Sequence, residues 1–141
     1  MWCVLCTTAA QHAEARPILI VEDEATLRSS LAAFLADAGY RTIEAGSVAE
    51  GVRRLGDLVG GPNAGLCLLD MNLPDGSGLD IIRLIVRDGL AVRVLVMTAF
   101  GGTHLRPLDP AAARVIAAWM TKPVDPRSLL EELRAAGGNG R

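Results

Sequence analysis

The sequence predicts an α/β fold in which helices cover both faces of a parallel sheet. Short apolar runs alternate five times with longer segments whose apolar residues recur at helical spacing. Strands of a sheet that is covered on both faces are expected to be apolar throughout, as these runs are. The 141 residues are 50% hydrophobic but only 4% aromatic, which indicates one domain with an aliphatic core.

Most of the predicted strands are apolar runs that end in polar residues, and YRTIEA at residues 40–45 is a shorter, more polar strand. PILIV ends in an acidic cluster, LCLLD ends in a carboxylate, and VRVLVMT ends in a threonine. The strands are predicted over residues 18–21, 40–45, 66–70, 92–98 and 115–121. Turn-forming residues separate them from the helices, and the NLPDGSG stretch after the third strand is predicted to be a loop.

The predicted helices carry start signals as well as apolar periodicity. Ser47 and Glu50 form a capping-box pattern at the start of the second helix. Asp125 at the N-cap and Pro126 at the first helical position begin the last helix. These helices are predicted over residues 25–39, 48–59, 79–89 and 126–133.

The segment from Phe100 to Arg114 departs from the alternation. Pro107 and Pro110 stand where a full fourth helix would otherwise be expected. We therefore predict a degenerate fourth helix that begins at Pro110 and runs to about Ala117.

Charge and hydropathy exclude several classes of function. The net charge is −2 and the pI is about 5.6, so no basic surface for nucleic acid or anionic lipid is expected. No apolar run reaches the length of a membrane span, and residues 1–16 lack the features of a signal peptide. We expect a soluble, cytoplasmic protein with a flexible extension over residues 1–16 and a flexible tail over residues 137–141.

The three cysteines give no redox framework. Cys67 lies within an apolar run, so a buried and inert thiol is expected. Cys3 and Cys6 form a Cys-x-x-Cys pair, but this motif needs a preceding strand and a following helix, which its position near the start of the chain does not provide.

Five polar residues end the predicted strands, and parallel strands bring such ends to one rim of the sheet. They are Glu22, Asp23, Asp70, Thr98 and Lys122. Because three carboxylates in one place repel one another, we expect a compensating cation. Carboxylate oxygens suit Mg²⁺ better than Zn²⁺. A carboxylate beside such a metal can attack phosphorus to form an aspartyl phosphate, with the hydroxyl and the ammonium neutralising the phosphoryl oxygens.

Lys122 is the only lysine, whereas the other basic side chains are thirteen arginines. A lysine ammonium is compact and an arginine guanidinium is a wide planar fork, so the one lysine indicates a crowded pocket. The following Pro123 permits a cis peptide bond, and we expect one at this position.

Taken in order, VEDE, LLDMNLPDGSG, VMTA and WMTKPVD resemble the motifs of the receiver domain of two-component response regulators. The resemblance covers Pro17 to about Ala136. It implies a flavodoxin-like (βα)5 three-layer sandwich with a parallel sheet in the order 2-1-3-4-5. A receiver domain is accordingly expected over residues 17–136.

The resemblance also implies roles for the acidic residues. Asp70 matches the phosphoacceptor. Asp23 and Asp70 match the carboxylates that bind Mg²⁺, with the backbone carbonyl of Asn72 as a further ligand. Glu22 matches the second acidic position, which usually acts through water.

Other matched positions concern the conformational switch. Thr98 matches the switch hydroxyl, and the small Ala99 after it leaves access to the phosphoryl group. Lys122 matches the lysine of the family. Trp119 matches the aromatic switch position but is bulkier than the usual Tyr or Phe, so its inward rotation is expected to be hindered; the alternative is that it packs between the fifth strand and the fourth helix. Phe100 is bulky near the attack path of water, which predicts slow loss of phosphate.

The function implied is that of a phosphoacceptor, not of an enzyme with an external substrate. The expected donor is a sensor histidine kinase or a histidine phosphotransfer protein, and the expected output is through a downstream protein, with a homodimer as an alternative use of the same surface. No effector sequence follows Leu133, so we expect a single-domain regulator; the alternative is a piece of a longer protein.

The sequence leaves three alternatives to this function. The first is a protein-binding pseudo-receiver that works without phosphorylation. The second is an enzyme that uses Asp70 on a phosphate ester, which is disfavoured because no acid lies two residues after Asp70. The third is flavin binding, which is disfavoured because no phosphate-cradling loop follows the first strand.

Overall fold

The computed structural model describes residues 17–59, 64–99 and 110–137. Along these residues five long strands alternate with five helices, and a small hairpin follows the third long strand. The strands are β1 (Ile18–Val21), β2 (Thr42–Ala45), β3 (Gly65–Asp70), β4 (Asn72–Leu73), β5 (Gly76–Ser77), β6 (Val92–Thr98) and β7 (Ile116–Thr121). The helices are α1 (Ala25–Asp37), α2 (Val48–Leu55), α3 (Gly78–Asp88), α4 (Pro110–Val115) and α5 (Pro126–Gly137).

The five long strands form one parallel sheet in the order β2-β1-β3-β6-β7. Counted within this sheet alone, the order is 2-1-3-4-5, as predicted. Every residue of β1 and of β3 is buried, because helices cover both faces of these central strands. The short β4 and β5 pair antiparallel with each other and lie outside the sheet.

Two aliphatic clusters, one on each face of the sheet, form the core. Successive strand residues point to opposite faces, so Leu19 and Ile20 belong to different clusters. Buried side chains of α2, α3 and α4 complete one cluster, and those of α1 and α5 complete the other. The predicted three-layer sandwich is therefore confirmed.

Helix α2 ends at Leu55 rather than near Val59 as predicted. The amides of Asp57 and Leu58 donate to carbonyls three residues back, so the chain tightens out of α geometry there. A Cβ on Gly65 would lie 2.8 Å from the Cβ of Leu58, so the chain that follows α2 packs closely against the start of β3.

Smaller differences concern the other connections. Strand β2 begins at Thr42 and not at residue 40, and the predicted loop after Asp70 contains the β4–β5 hairpin. The fourth helix is short, as predicted, but it ends at Val115 because β7 begins at Ile116. Within the described ranges no helix has the length and apolarity that crossing a membrane requires. The predictions for Cys3, Cys6 and Phe100 concern residues outside the described part.

Candidate functional site

Polar residues gather at the carboxyl edge of the sheet. Glu22 and Asp23 follow β1, Asp70 ends β3, Thr98 ends β6, and Lys122 follows β7. The Lys122 amide donates to the Thr98 carbonyl at 2.8 Å, which joins the last two of these strand ends. The structure thus brings all five residues to the rim that the sequence predicts.

The three carboxylates form one cluster. Each of Glu22, Asp23 and Asp70 offers an oxygen that lies within 4.8 Å of an oxygen of the other two. Glu22 is 1% exposed and Asp70 is 4% exposed, whereas Asp23 faces solvent. The cluster is therefore open on one side, where water can reach it.

The Lys122 ammonium lies between the two buried carboxylates. Its Nζ donates to Glu22 Oε1 at 2.7 Å and to Asp70 Oδ2 at 3.1 Å. Burial on its own lowers the pKa of Lys122, but hydrogen bonds to Glu22 and Asp70 and the charges of both carboxylates raise it overall. The lysine is therefore charged at neutral pH.

The buried position of Glu22 governs its protonation. Desolvation raises its pKa above 4.5, and the hydrogen bonds from Lys122 and from the Glu24 amide only partly oppose this effect. The Glu24 amide donates to Glu22 Oε2 at 3.1 Å. Both oxygens of this buried carboxylate therefore have a donor.

Arg28 supports the acidic turn, although it was not among the predicted site residues. Its Nη1 donates to the backbone carbonyl of Glu22 at 2.8 Å, and its Nε donates to Glu44 at 3.2 Å. Arg28 thereby fixes the backbone that carries Glu22 and Asp23. A basic residue one turn into the helix that follows an acidic cluster was the only sequence signal for it.

Asn72 lies next to the cluster through its backbone. Its amide donates to Asp70 Oδ1 at 3.1 Å, which leaves the other Asp70 oxygen to Lys122. Helix α3 begins directly against this segment: a Cβ on Gly78 would lie 2.8 Å from the Asp70 carbonyl oxygen. The backbone around the predicted phosphoacceptor is thus closely packed.

Trp119 lies away from the carboxylates and is 39% exposed. It borders a cavity of about 260 Å³ that is also lined by Ser128 and Glu132 of α5. The bond between Lys122 and Pro123 is cis, as expected. The switch role of Trp119 stays a prediction.

The donor set fits Mg²⁺. Three carboxylates and one ammonium leave a formal charge of −2 at the cluster, which a divalent cation would balance. The donors are hard oxygens, and the exposed side provides room for the waters that Mg²⁺ retains. Neither histidine nor cysteine belongs to the group, which disfavours Zn²⁺.

Comparison with known proteins shows the family. A sequence model of the response regulator receiver domain matches residues 18–134. The chain belongs to the response regulator receiver domain family. As a receiver domain, it is a phosphoacceptor module of two-component signalling.

Individual relatives agree with this assignment. The phosphate regulon transcriptional regulatory protein PhoB of Klebsiella pneumoniae is 35% identical over 125 residues, covering 86% of this chain and 51% of PhoB. The chain thus spans about half the length of this relative.

Solved structures agree as well. A CheY-like receiver domain from Methanospirillum hungatei superimposes with a TM-score of 0.72 at 27% identity, covering 86% of this chain and 94% of that one. The response regulator TrrA of Thermotoga maritima, in complex with Mg²⁺–BeF, shares the fold with a TM-score of 0.69 at 23% identity, covering 86% and 98%.

Proposed function

We propose that Asp70 is the phosphoacceptor of this receiver domain and that the donor is a phosphohistidine of a sensor histidine kinase or a histidine phosphotransfer protein. The observation that carries the proposal is the contact of 3.1 Å between Lys122 Nζ and Asp70 Oδ2 inside the carboxylate cluster. Asp70 is the member of the cluster that ends the central strand β3, and its two oxygens are oriented by Lys122 and by the Asn72 amide.

The transfer requires one bond to form and one to break. A carboxylate oxygen of Asp70 attacks phosphorus, and the bond from phosphorus to the donor's imidazole nitrogen breaks as that nitrogen leaves. Lys122 then faces the new phosphoryl oxygens with its positive charge, because its ammonium is already held beside Asp70. No other protein nucleophile is needed.

Asp23, Asp70 and the backbone carbonyl of Asn72 would hold Mg²⁺, with Glu22 acting through water. When bound, Mg²⁺ would neutralise the charge on the phosphoryl oxygens. The close carboxylate cluster supports this assignment, as does the Mg²⁺–BeF complex of TrrA, which shares the fold.

Thr98 and Trp119 would report the phosphorylated state. Thr98 is 4% exposed at the end of β6, and its backbone carbonyl accepts a hydrogen bond from the Lys122 amide. Movement of the Thr98 hydroxyl towards a phosphoryl group would shift β6 and β7 between two states, and Trp119 on β7 would change its exposure. A downstream protein would read that surface in the cytoplasm.

The experiment is intact-mass measurement after incubation with Mg²⁺ and acetyl phosphate. The wild type should gain one phosphoryl group, and Asp70→Asn should gain none. Asp88→Asn, which removes an exposed carboxylate at the end of α3, is the matched control and should behave as wild type. Equal labelling of Asp70→Asn and wild type would contradict the assignment.

A pseudo-receiver that binds partners without phosphorylation is the competing function. The complete set of three carboxylates together with Lys122 argues against it, because such a module would have no need to keep them close. Absence of labelling in the wild type, with beryllofluoride leaving the Trp119 environment unchanged, would favour this alternative.

A further inference from the structure

One carboxylate joins the tip of the β4–β5 hairpin to helix α2. Asp75 Oδ1 accepts a hydrogen bond from the Val48 amide at 2.7 Å, and Oδ2 accepts one from the Ala49 amide at 3.0 Å. These amides belong to the first two residues of α2, 27 and 26 positions before Asp75 in the chain. The two hydrogen bonds lower the pKa of Asp75, so its carboxylate is ionised at neutral pH.

The start of α2 already has a local cap. Ser47 Oγ accepts from the Glu50 amide at 3.1 Å. Amides of the first helical turn have no acceptor within the helix, so Asp75 and Ser47 share the task of supplying them. Of these two capping side chains, Asp75 is the one that comes from another segment, so its hydrogen bonds connect α2 to the hairpin.

The other end of the hairpin lies at the phosphoacceptor. Asn72, the first residue of β4, donates its amide to Asp70 Oδ1 at 3.1 Å. The hairpin has only two residues in each strand, and so small a hairpin is not stable by itself. Its position must therefore be fixed by contacts with the rest of the domain.

We propose that Asp75 is a positioning residue that holds the β4–β5 hairpin against α2 and so fixes the Asn72 backbone for Mg²⁺ binding. The inference rests on the proposed function, in which the Asn72 carbonyl is a Mg²⁺ ligand. Because coupling between sites is reciprocal, Mg²⁺ binding beside Asn72 also orders the hydrogen bonds at Val48 and Ala49.

The test compares Mg²⁺ binding by the whole chain in four forms: wild type, Asp75→Ala, Asp75→Asn and Ser47→Ala. Calorimetry gives the dissociation constant, and amide NMR follows the Val48 and Ala49 resonances during the titration. Ser47→Ala is the matched control, because it removes a cap from the same helix but leaves the hydrogen bonds of Asp75 to the Val48 and Ala49 amides in place.

Asp75→Ala should weaken Mg²⁺ affinity about tenfold, as loss of a residue that orients a metal ligand does. Asp75→Asn, which keeps one acceptor oxygen, should fall between this variant and wild type. Mg²⁺ should shift the Val48 and Ala49 resonances in wild type and in Ser47→Ala, but not in Asp75→Ala. A merely structural cap would give no such difference in the Mg²⁺ response.

Equal Mg²⁺ affinity of Asp75→Ala and Ser47→Ala would overturn the inference and leave the proposed function standing. If Asp75→Ala does not fold, the Asp75→Asn variant tests the inference. A Mg²⁺ affinity several-fold below that of wild type would support the positioning role of Asp75, and an unchanged Mg²⁺ affinity would refute it. A wild type that neither binds Mg²⁺ nor accepts a phosphoryl group would instead overturn the proposed function, and the inference with it.

Discussion

The Lys122 ammonium donates a hydrogen bond to Asp70 at 3.1 Å, although the two residues lie 52 positions apart in the chain. The same ammonium donates to Glu22 at 2.7 Å. One compact cation thus donates hydrogen bonds to two buried carboxylates at the ends of different strands. A guanidinium has a wider, planar arrangement of donors, so it is expected to fit less well between these two carboxylates.

Replacing Lys122 should therefore slow phosphorylation even when the charge is kept. Lys122→Met should lower the rate of labelling by acetyl phosphate about 100-fold, because it removes a charged donor from the transferring oxygens. Lys122→Arg should lower it about tenfold, through poor fit alone. Time-resolved intact-mass measurement gives the rates, and Arg134→Met on the exposed side of α5 is the control. Wild-type rates for Lys122→Arg would show that only charge matters.

A second prediction concerns Glu22 and pH. Burial raises its pKa above 4.5, so the folded state holds this proton more tightly than the unfolded chain does. The free energy of unfolding therefore falls as the pH rises from the pKa of Glu22 in the unfolded chain to its higher pKa in the folded protein. The folded protein stays less stable at all higher pH values. In Mg²⁺-free buffer, Glu22→Gln should raise Tm at pH 7 and leave it nearly unchanged at pH 4.

Thermal denaturation followed by circular dichroism measures this difference. Glu131→Gln on the exposed surface of α5 is the matched control and should leave Tm unchanged at both pH values. A Glu22→Gln variant that is less stable than wild type at pH 7 would mean that the hydrogen bond from Lys122 outweighs the desolvation of the carboxylate.

The topology and the rim were predictable from the sequence because both follow from short-range patterns. Continuous apolar runs identify the buried parallel strands, and the polar residue after each run has to lie at the carboxyl edge. Asp70 and Lys122 are both identified by this pattern. The uniqueness of the lysine added a second, compositional signal.

The contacts that support the site were not predictable in the same way. Arg28 donates a hydrogen bond to a backbone carbonyl six residues earlier, and Asp75 accepts hydrogen bonds from amides 27 and 26 residues earlier. Bonds from a side chain to a distant backbone leave no periodicity in the sequence. The β4–β5 hairpin was likewise hidden, because its two-residue strands are too short to show an alternating pattern.

Gly78 should be sensitive to the smallest substitution. A Cβ there would lie 2.8 Å from the Asp70 carbonyl oxygen and 2.9 Å from the Met71 sulfur. Because part of this contact is with backbone, relief requires movement of the segment that carries Asp70. Gly78→Ala should cost about 1–3 kcal/mol of stability and slow phosphorylation of Asp70 as well.

Gly56→Ala provides the control for this substitution. Among the described residues its Cβ would meet only the Arg53 carbonyl oxygen, at 3.9 Å, and its backbone is already helical. Its stability in urea denaturation should lie within about 0.5 kcal/mol of wild type. Equal stability of the two variants would show that the α3 start can shift away from Asp70 at little cost.

The thiol of Cys67 should be unreactive towards alkylating reagents in the folded protein. It lies at the centre of β3 with no exposed surface, and burial raises the pKa of its thiol to about 12. Only the thiolate reacts with iodoacetamide, and at pH 8 the thiolate is on the order of one part in 10⁴ of this residue. Reactivity should rise only as the pH approaches 12 or when the protein unfolds.

Peptide mass mapping after treatment at pH 8 should find Cys67 unmodified in buffer and modified in guanidinium chloride. Modification at a similar rate in both would mean that β3 opens readily, a result at odds with its place at the centre of the sheet.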